Sequence, residues 1–298
     1  MITLEGVTKR YGDLLALDEA TFTVQPGRLT GFVGANGAGK TTAMRILMGV
    51  LRADAGQVLL DGQVLDAATR RRFGYMPEER GLYPKMRVAE QLAYLATLHG
   101  FDRASADARV HALLEHLDLA ERARDPVESL SLGNQQRAQV AAALVHDPSV
   151  LVLDEPFSGL DPIAVDMVAQ VLTEHAARGV PVLFSSHQLD LVERLCDDLV
   201  IIAGGTIRAC GAREELRERH GASRYALVAA STGWLHDEPG VEVVETDDDR
   251  SVFAADADTA QHVLRTAVER GPVHQFGPVV PSLAEIFREV MTDAQVTR

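Results

Sequence analysis

Nine residues, Gly34 Ala35 Asn36 Gly37 Ala38 Gly39 Lys40 Thr41 Thr42, constrain this chain more than any other stretch, because they satisfy the P-loop pattern GxxxxGK[ST]. The pattern implies a bound nucleoside triphosphate. Gly34, Gly37 and Gly39 let the backbone turn tightly enough for successive N–H groups, those of Asn36 to Thr42 among them, to form a concave nest for phosphate oxygens. Lys40 adds a full positive charge, Thr41 offers its hydroxyl to Mg²⁺, and a helix predicted from Thr41 to Gly49 turns its positive end toward the phosphates. The flanks agree. A strand-like run, Leu29 to Val33, precedes the loop, and Met44, Ile46, Leu47 and Val50 follow at helical spacing.

At 298 residues the chain has room for a large nucleotide-binding domain and a smaller second one. With 46% hydrophobic and 24% charged residues it can bury a core, and its formal charge of -14 argues against a nucleic-acid backbone as main partner. Cys196 and Cys210, without metal-ligand spacing, read as reduced thiols. No apolar run approaches the roughly 20 residues that span a bilayer, and Met1 to Glu5 is no signal peptide. Work at a membrane would require another chain to do the spanning.

Alternation in Ile2 to Val7 and Ala20 to Val24, with turns at Gly12 Asp13 and Pro26 Gly27, predicts an antiparallel β layer before the P-loop. Tyr11, in the turn-like Lys9 to Asp13, is either a hairpin packing residue or an aromatic face for a purine base. Leu92, Leu95, Leu98, Val110, Leu113, Leu114 and Leu117 recur at three- and four-residue intervals, predicting an inserted helical subdomain over about 88–147. Within it, Leu130 Ser131 Leu132 Gly133 Asn134 precedes a small-residue helix, Ala138 to Val145. Ser131 reads as an N-cap, and the same helix start could serve as a second anion site.

Val150 to Leu153 is an apolar run ending in Asp154 Glu155, the pattern of a buried parallel strand whose carboxyl end faces a ligand. Either the two acids are merely solvated, or Asp154 holds Mg²⁺ and Glu155 polarises the water that attacks a γ-phosphate. A helix is predicted from Ile163 to Ala177, and a strand from Val180 to Phe184 that leads to Ser185 Ser186 His187 on the same edge. After a charged helix, Ala212 to His220, three short strands and two helices predict a small α+β unit over 221–298. Its Asp247 Asp248 Asp249 reads as a solvated hairpin turn rather than a metal site.

Taken together, these motifs make the first 220 residues resemble the ATP-binding subunit of an ABC transporter. The resemblance implies a P-loop NTPase core with an antiparallel β layer and an inserted helical subdomain. It assigns Tyr11 to the adenine, Leu130 to Gln136 to the signature motif, Asp154 and Glu155 to the Walker B acids, Asp161 to the D-loop, and His187 to the switch histidine. It further implies ATP and Mg²⁺, with Thr41, Asp154 and Glu78 at the metal, and a head-to-tail dimer in which Ser131 and Gly133 cap the partner copy's γ-phosphate. Catalysis falls to Glu155, His187 and Lys40. Two motifs depart from the family pattern, at three positions. Leu132 and Asn134 replace the first glycine and the glutamine of LSGGQ, and Glu78 stands where glutamine is common. The Pro77 to Pro84 stretch and the carboxy-terminal unit resemble a branch tied to export of sodium ions or drugs, which implies a separately encoded permease and a place on the cytoplasmic face of the membrane. A soluble ABC ATPase acting on ribosomes or DNA, and a regulatory module that holds ATP without hydrolysing it, are the alternatives.

Overall fold

The computed structural model describes residues 1–79, 81–221, 224–247, 249–279 and 281–296, and divides the chain into two compact units, Met1–Arg213 with the last residues from Asp293, and Glu214–Thr292. In the first, β1 (Ile2–Tyr11), β2 (Leu14–Val24), β3 (Leu29–Val33), α1 (Lys40–Leu47), β4 (Ala55–Leu60), β5 (Gln63–Val64), α2 (Ala67–Arg70) and β6 (Phe73–Met76) lead into three helices. These are α3 (Val88–Leu98), α4 (Arg103–His116) and α5 (Leu132–Leu144). The chain returns through β7 (Val150–Leu153), α6 (Pro162–Ala177), β8 (Val182–Ser186), α7 (Leu189–Leu195), β9 (Asp198–Ala203) and β10 (Thr206–Ala212).

Two sheets share these strands. The alternating amino-terminal segments form the antiparallel sheet β2-β1-β4-β5, while the apolar runs form β10-β9-β3-β8-β7-β6, parallel from β9 through β6. Burial explains the division. Every residue of β3, β7, β8 and β9 is buried, as a parallel sheet covered on both faces demands, whereas β2 alternates buried and exposed. Between the sheets lies a core in which Leu4, Leu17 and Phe22 of one sheet meet Phe32, Val200 and Ile202 of the other, with Met44 and Leu47 of α1. Phe22 and Phe32 stack at a tilt, their ring centres 5.2 Å apart.

Two boundaries and three strands differ from the sequence reading. Helix α5 begins at Leu132, six residues before Ala138, because the Ser131 hydroxyl accepts from Asn134 N–H at 3.3 Å and starts the helix at once. Strand β8 begins at Val182, after Pro181, which has no N–H to give a ladder. Strands β5, β10 and β14 (Val273–Pro278) were not expected, being short or bordered or interrupted by glycine and proline.

The second unit comprises α8 (Arg213–Gly221), β11 (Arg224–Ala229), β12 (Glu242–Asp247), β13 (Arg250–Ala254), α9 (Ala257–Arg270), β14 (Val273–Pro278) and α10 (Leu283–Val296). Its antiparallel sheet, β12-β13-β11-β14, packs Leu227, Ala229 and Phe253 against Val263 and Ala267 of α9. Asp247 and Asp249 sit at the β12–β13 hairpin, and Asp248, the third acid of that cluster, lies outside the described residues, as does Arg80 of the Pro77 to Pro84 stretch. Among the described residues no helix is long and apolar enough to cross a membrane. Cys196 is buried and Cys210 exposed, both free thiols.

Candidate functional site at the carboxyl edge of the parallel sheet

Strand order brings the site together. Because β3, β8 and β7 are neighbours, the segments that follow them, the P-loop, Ser186 His187 and Asp154 Glu155, emerge side by side at one edge. A cavity of about 590 Å³ opens there. Its walls are Tyr11, Asn36, Gly37, Gly39, Lys40, Thr41, Thr42, Glu78, Asp154 and Glu155, joined by Leu14, Leu15 and Ala16 from the start of β2 and by Gly204 and Gly205. Ten of the residues singled out in the sequence thus line one space.

Two of the P-loop glycines are required by space. A Cβ on Gly34 would lie 2.5 Å from the Ile202 carbonyl oxygen of β9, and Gly39, at φ 112°, would place one 2.7 Å from that of Ala16. Neither position has room for a side chain. Beyond the loop, α1 starts without a side-chain cap and without an acid in its first turn. Its leading N–H groups are therefore left to an external acceptor, and the helix end carries partial positive charge. Lys40, only 7% exposed, donates from Nζ to Gly34 O at 2.6 Å and to Ala35 O at 3.3 Å, which satisfies its buried ammonium.

Across the cavity stand the two acids. Asp154 is 1% exposed. Its Oδ1 accepts from Ser185 Oγ at 2.6 Å, and its buried Oδ2 has no hydrogen-bond partner among the described residues. Burial and then this nearby negative charge raise the Tyr75 hydroxyl above the usual phenol range. Glu155 adopts φ 53°, a left-handed conformation that a glutamate enters only at a cost. Ser185 Oγ accepts from its N–H at 2.8 Å, Gln136 Nε2 donates to its carbonyl at 2.8 Å, and its Oε2 accepts from His187 Nδ1 at 2.9 Å. His187, largely exposed, reaches the cavity through this pair.

Ser131, Gly133 and Asp161 lie outside the cavity lining. Ser131 caps α5, and Asp161 caps α6 by accepting from Ala164 N–H at 2.9 Å. Gly133 differs from the loop glycines, since a Cβ there would meet only Gly159 O at 3.5 Å and Leu160 Cδ2 at 3.7 Å. Tyr11 keeps about half of its surface exposed, with Lys9 Nζ 5.7 Å from the ring centre. Ser185, Leu14 to Ala16, Gly204 and Gly205 were missed in the sequence as site residues, and Gln136 was read only as part of the signature stretch Leu130 to Gln136, without its contact to Glu155. A hydroxyl ending an otherwise apolar buried strand was the one signal that could have pointed to Ser185.

A P-loop leading an uncapped helix, set beside a strand ending in two acids on a parallel sheet, defines a P-loop nucleotide-binding domain. Residues 17–158 match the ABC transporter family, and residues 211–291 match the C-terminal domain described as ATP-binding protein DrrA1-3-like. The chain is 36% identical to the uncharacterized ABC transporter ATP-binding protein YhaQ of Bacillus subtilis (strain 168), over 97% of this chain and 98% of that one. It is 32% identical to the linearmycin resistance ATP-binding protein LnrL of the same organism, over 78% of this chain and 75% of that one. Among solved structures it resembles a dimeric bacterial ABC transporter cassette, with TM-score 0.64 and 25% identity over 71% of this chain and 98% of that one. The chain belongs to the ATP-binding proteins of ABC transporters, and carries in addition a DrrA1-3-like C-terminal domain.

Proposed function

We propose that this subunit hydrolyses ATP and, by closing and opening as a head-to-tail dimer, drives a separately encoded permease that exports its cargo. Glu155 carries the reading: a carboxylate held on His187 at 2.9 Å, bordering the cavity that also holds Lys40 and the half-unpartnered Asp154. Glu155 takes a proton from water as the new oxygen–phosphorus bond forms and the bond from the γ-phosphorus to the β–γ bridging oxygen breaks. His187 orients that carboxylate. Lys40 and the α1 N–H groups bind the phosphates, and Tyr11 offers its exposed ring to the adenine.

The residues fit Mg²⁺. Asp154 carries a buried, unpartnered oxygen and lines the same cavity as Thr41 and Glu78, and no cluster of three or more His, Cys, Asp or Glu suited to a metal occurs among the described residues. Such a set suits a cation completed by phosphate oxygens and water rather than one caged by protein. Bound there, Mg²⁺ would neutralise charge on the phosphates.

Ser131 and Gly133 sit at a helix start that their own chain's packing leaves free, which supports their capping a γ-phosphate in a second copy, with Asp161 beside that contact. We place the ATPase domain at 1–220 and an accessory domain at 221–298, on the cytoplasmic face of the membrane. The exporter assignment follows the likeness to the Nod factor export ATP-binding protein I of Ralstonia nicotianae, 38% identical over 72% of this chain and 68% of that one. Phosphate release and size-exclusion runs with MgATP test the whole. The wild type is expected to turn over, and Glu155→Gln to lose ~10²–10⁴-fold in rate while keeping ATP and running as a dimer. Full turnover by Glu155→Gln would falsify the assigned base.

A further inference from the structure

The main chain of Glu155 is gripped from both sides by buried side chains of two other elements, and no part of the reading above uses them. On one side stands Ser185, fully buried at the end of β8, where the preceding Val182, Leu183 and Phe184 are all apolar. Register explains its place. Leu153 pairs with Phe184, so the next residue on each strand, Asp154 and Ser185, also falls side by side. The single hydroxyl is used twice. It accepts from Glu155 N–H at 2.8 Å and donates to Asp154 Oδ1 at 2.6 Å, consuming its proton and one of its lone pairs. On the other side stands Gln136, 5% exposed on α5, whose Nε2 donates to the Glu155 carbonyl at 2.8 Å.

Between these two bonds Glu155 holds φ 53°, a conformation that persists in a non-glycine residue only when its surroundings over-determine it. We infer that Ser185 and Gln136 are positioning residues for hydrolysis, which together hold the Glu155 backbone left-handed so that its carboxylate meets His187 and the cavity. Ser185 has a second effect. By occupying Oδ1 of Asp154 it leaves Oδ2 as the free oxygen, so one hydroxyl sets the presentation of both acids. Gln136 adds a link. It lies on the helix that Ser131 caps, so a shift of α5 acts directly on the carbonyl of the residue that activates water.

The inference rests on Glu155 being the base, and its test separates the two. Full-length wild type, Ser185→Ala, Ser185→Thr, Gln136→Met and Glu155→Gln are compared for kcat and KM with MgATP, for nucleotide affinity and for thermal unfolding. Ser185→Ala and Gln136→Met are expected to lose ~10–100-fold in kcat, as a misplacement near 1 Å does, with nucleotide affinity measured without Mg²⁺ unchanged within about twofold. Ser185→Thr, which keeps the hydroxyl, recovers most of the rate. A merely structural role predicts parallel losses in affinity and melting temperature, and that pattern overturns the inference.

Wild-type kcat in Ser185→Ala or Gln136→Met also overturns it, with the base reading intact if Glu155→Gln is inactive. If Glu155→Gln turns over normally, the base reading fails, and a crystal structure of Gln136→Met decides the clamp. Glu155 leaving the left-handed region upholds it, and Glu155 unmoved at φ near 53° refutes it. Because the two variants lie on different elements, misfolding of one leaves the other as the test.

Discussion

Two glycine-bearing turns in this molecule face phosphate chemistry in the proposed mechanism, yet they are built to different standards. In the P-loop, Gly34 and Gly39 have no space for a Cβ, and Lys40, Asp154 and Glu155 are each held by defined partners. At the α5 start, Gly133 tolerates a methyl group, Ser131 is exposed and Leu132 is 60% exposed. The first turn is completed by its own chain. The second carries a glycine for which its own chain's packing gives no reason, as expected if the surface it must fit belongs to another molecule.

The contrast can be broken by substitution, and the largest effect is expected at Lys40. Lys40→Ala removes the one cation among the described residues of the cavity lining and is expected to abolish ATP binding or turnover, read by calorimetry and phosphate release. Binding and hydrolysis at the wild-type level would show that the loop does not hold phosphates.

Next come the two glycines as a pair. Gly34→Ala forces a methyl group toward the Ile202 carbonyl and is expected to cost about 1–3 kcal/mol of stability in urea unfolding. Gly133→Ala is expected to leave stability unchanged or raise it by up to about 1 kcal/mol, as glycine-to-alanine changes in helices do, while weakening ATP-dependent dimerisation in sedimentation. Equal stability losses at both sites would erase the distinction drawn above.

The smallest effect is a pH dependence away from both turns. His146 stacks on His99 with ring centres 3.8 Å apart, and burial, then the neighbouring His99, push its pKa from the ordinary 6.5 down to about 4. Arg109 opposes the proton further, and Asp147 and the Phe73 carbonyl favour it. Between those values the unfolded chain binds the extra proton, so stability is full above pH 6.5 and falls as pH drops toward 4. His146→Gln is expected to flatten the urea midpoint across that window. An unchanged slope would assign the acid sensitivity elsewhere.

Much of the fold was legible because local chemistry and burial point the same way. Apolar runs too uniform for a half-exposed strand announced β3, β7 and β9, and alternation announced the antiparallel layer. The P-loop and the acid pair were readable because glycine spacing, a lysine and adjacent carboxylates after a buried strand each carry their chemistry in residue type. Less legible were β5, β10 and β14, whose residues are half exposed or interrupted by glycine and proline. They owe their pairing to neighbours far along the chain. Ser185, and the bond that Gln136 makes to Glu155, were unreadable for a related reason: serine and glutamine are common, and these hydrogen bonds join residues 30 and 19 positions apart.

The sequence by itself determined the class of ligand, the order of strand, loop and helix, and the identity of the charged groups, since these follow from side-chain chemistry and short-range spacing. Tertiary structure alone decided that β8 lies between β3 and β7, bringing a hydroxyl and a histidine to the acids. It also decided that Glu155 sits left-handed between two buried partners, and which oxygen of Asp154 stays free. Strand order and backbone strain depend on how a whole sheet packs, and no window of a few residues contains that information.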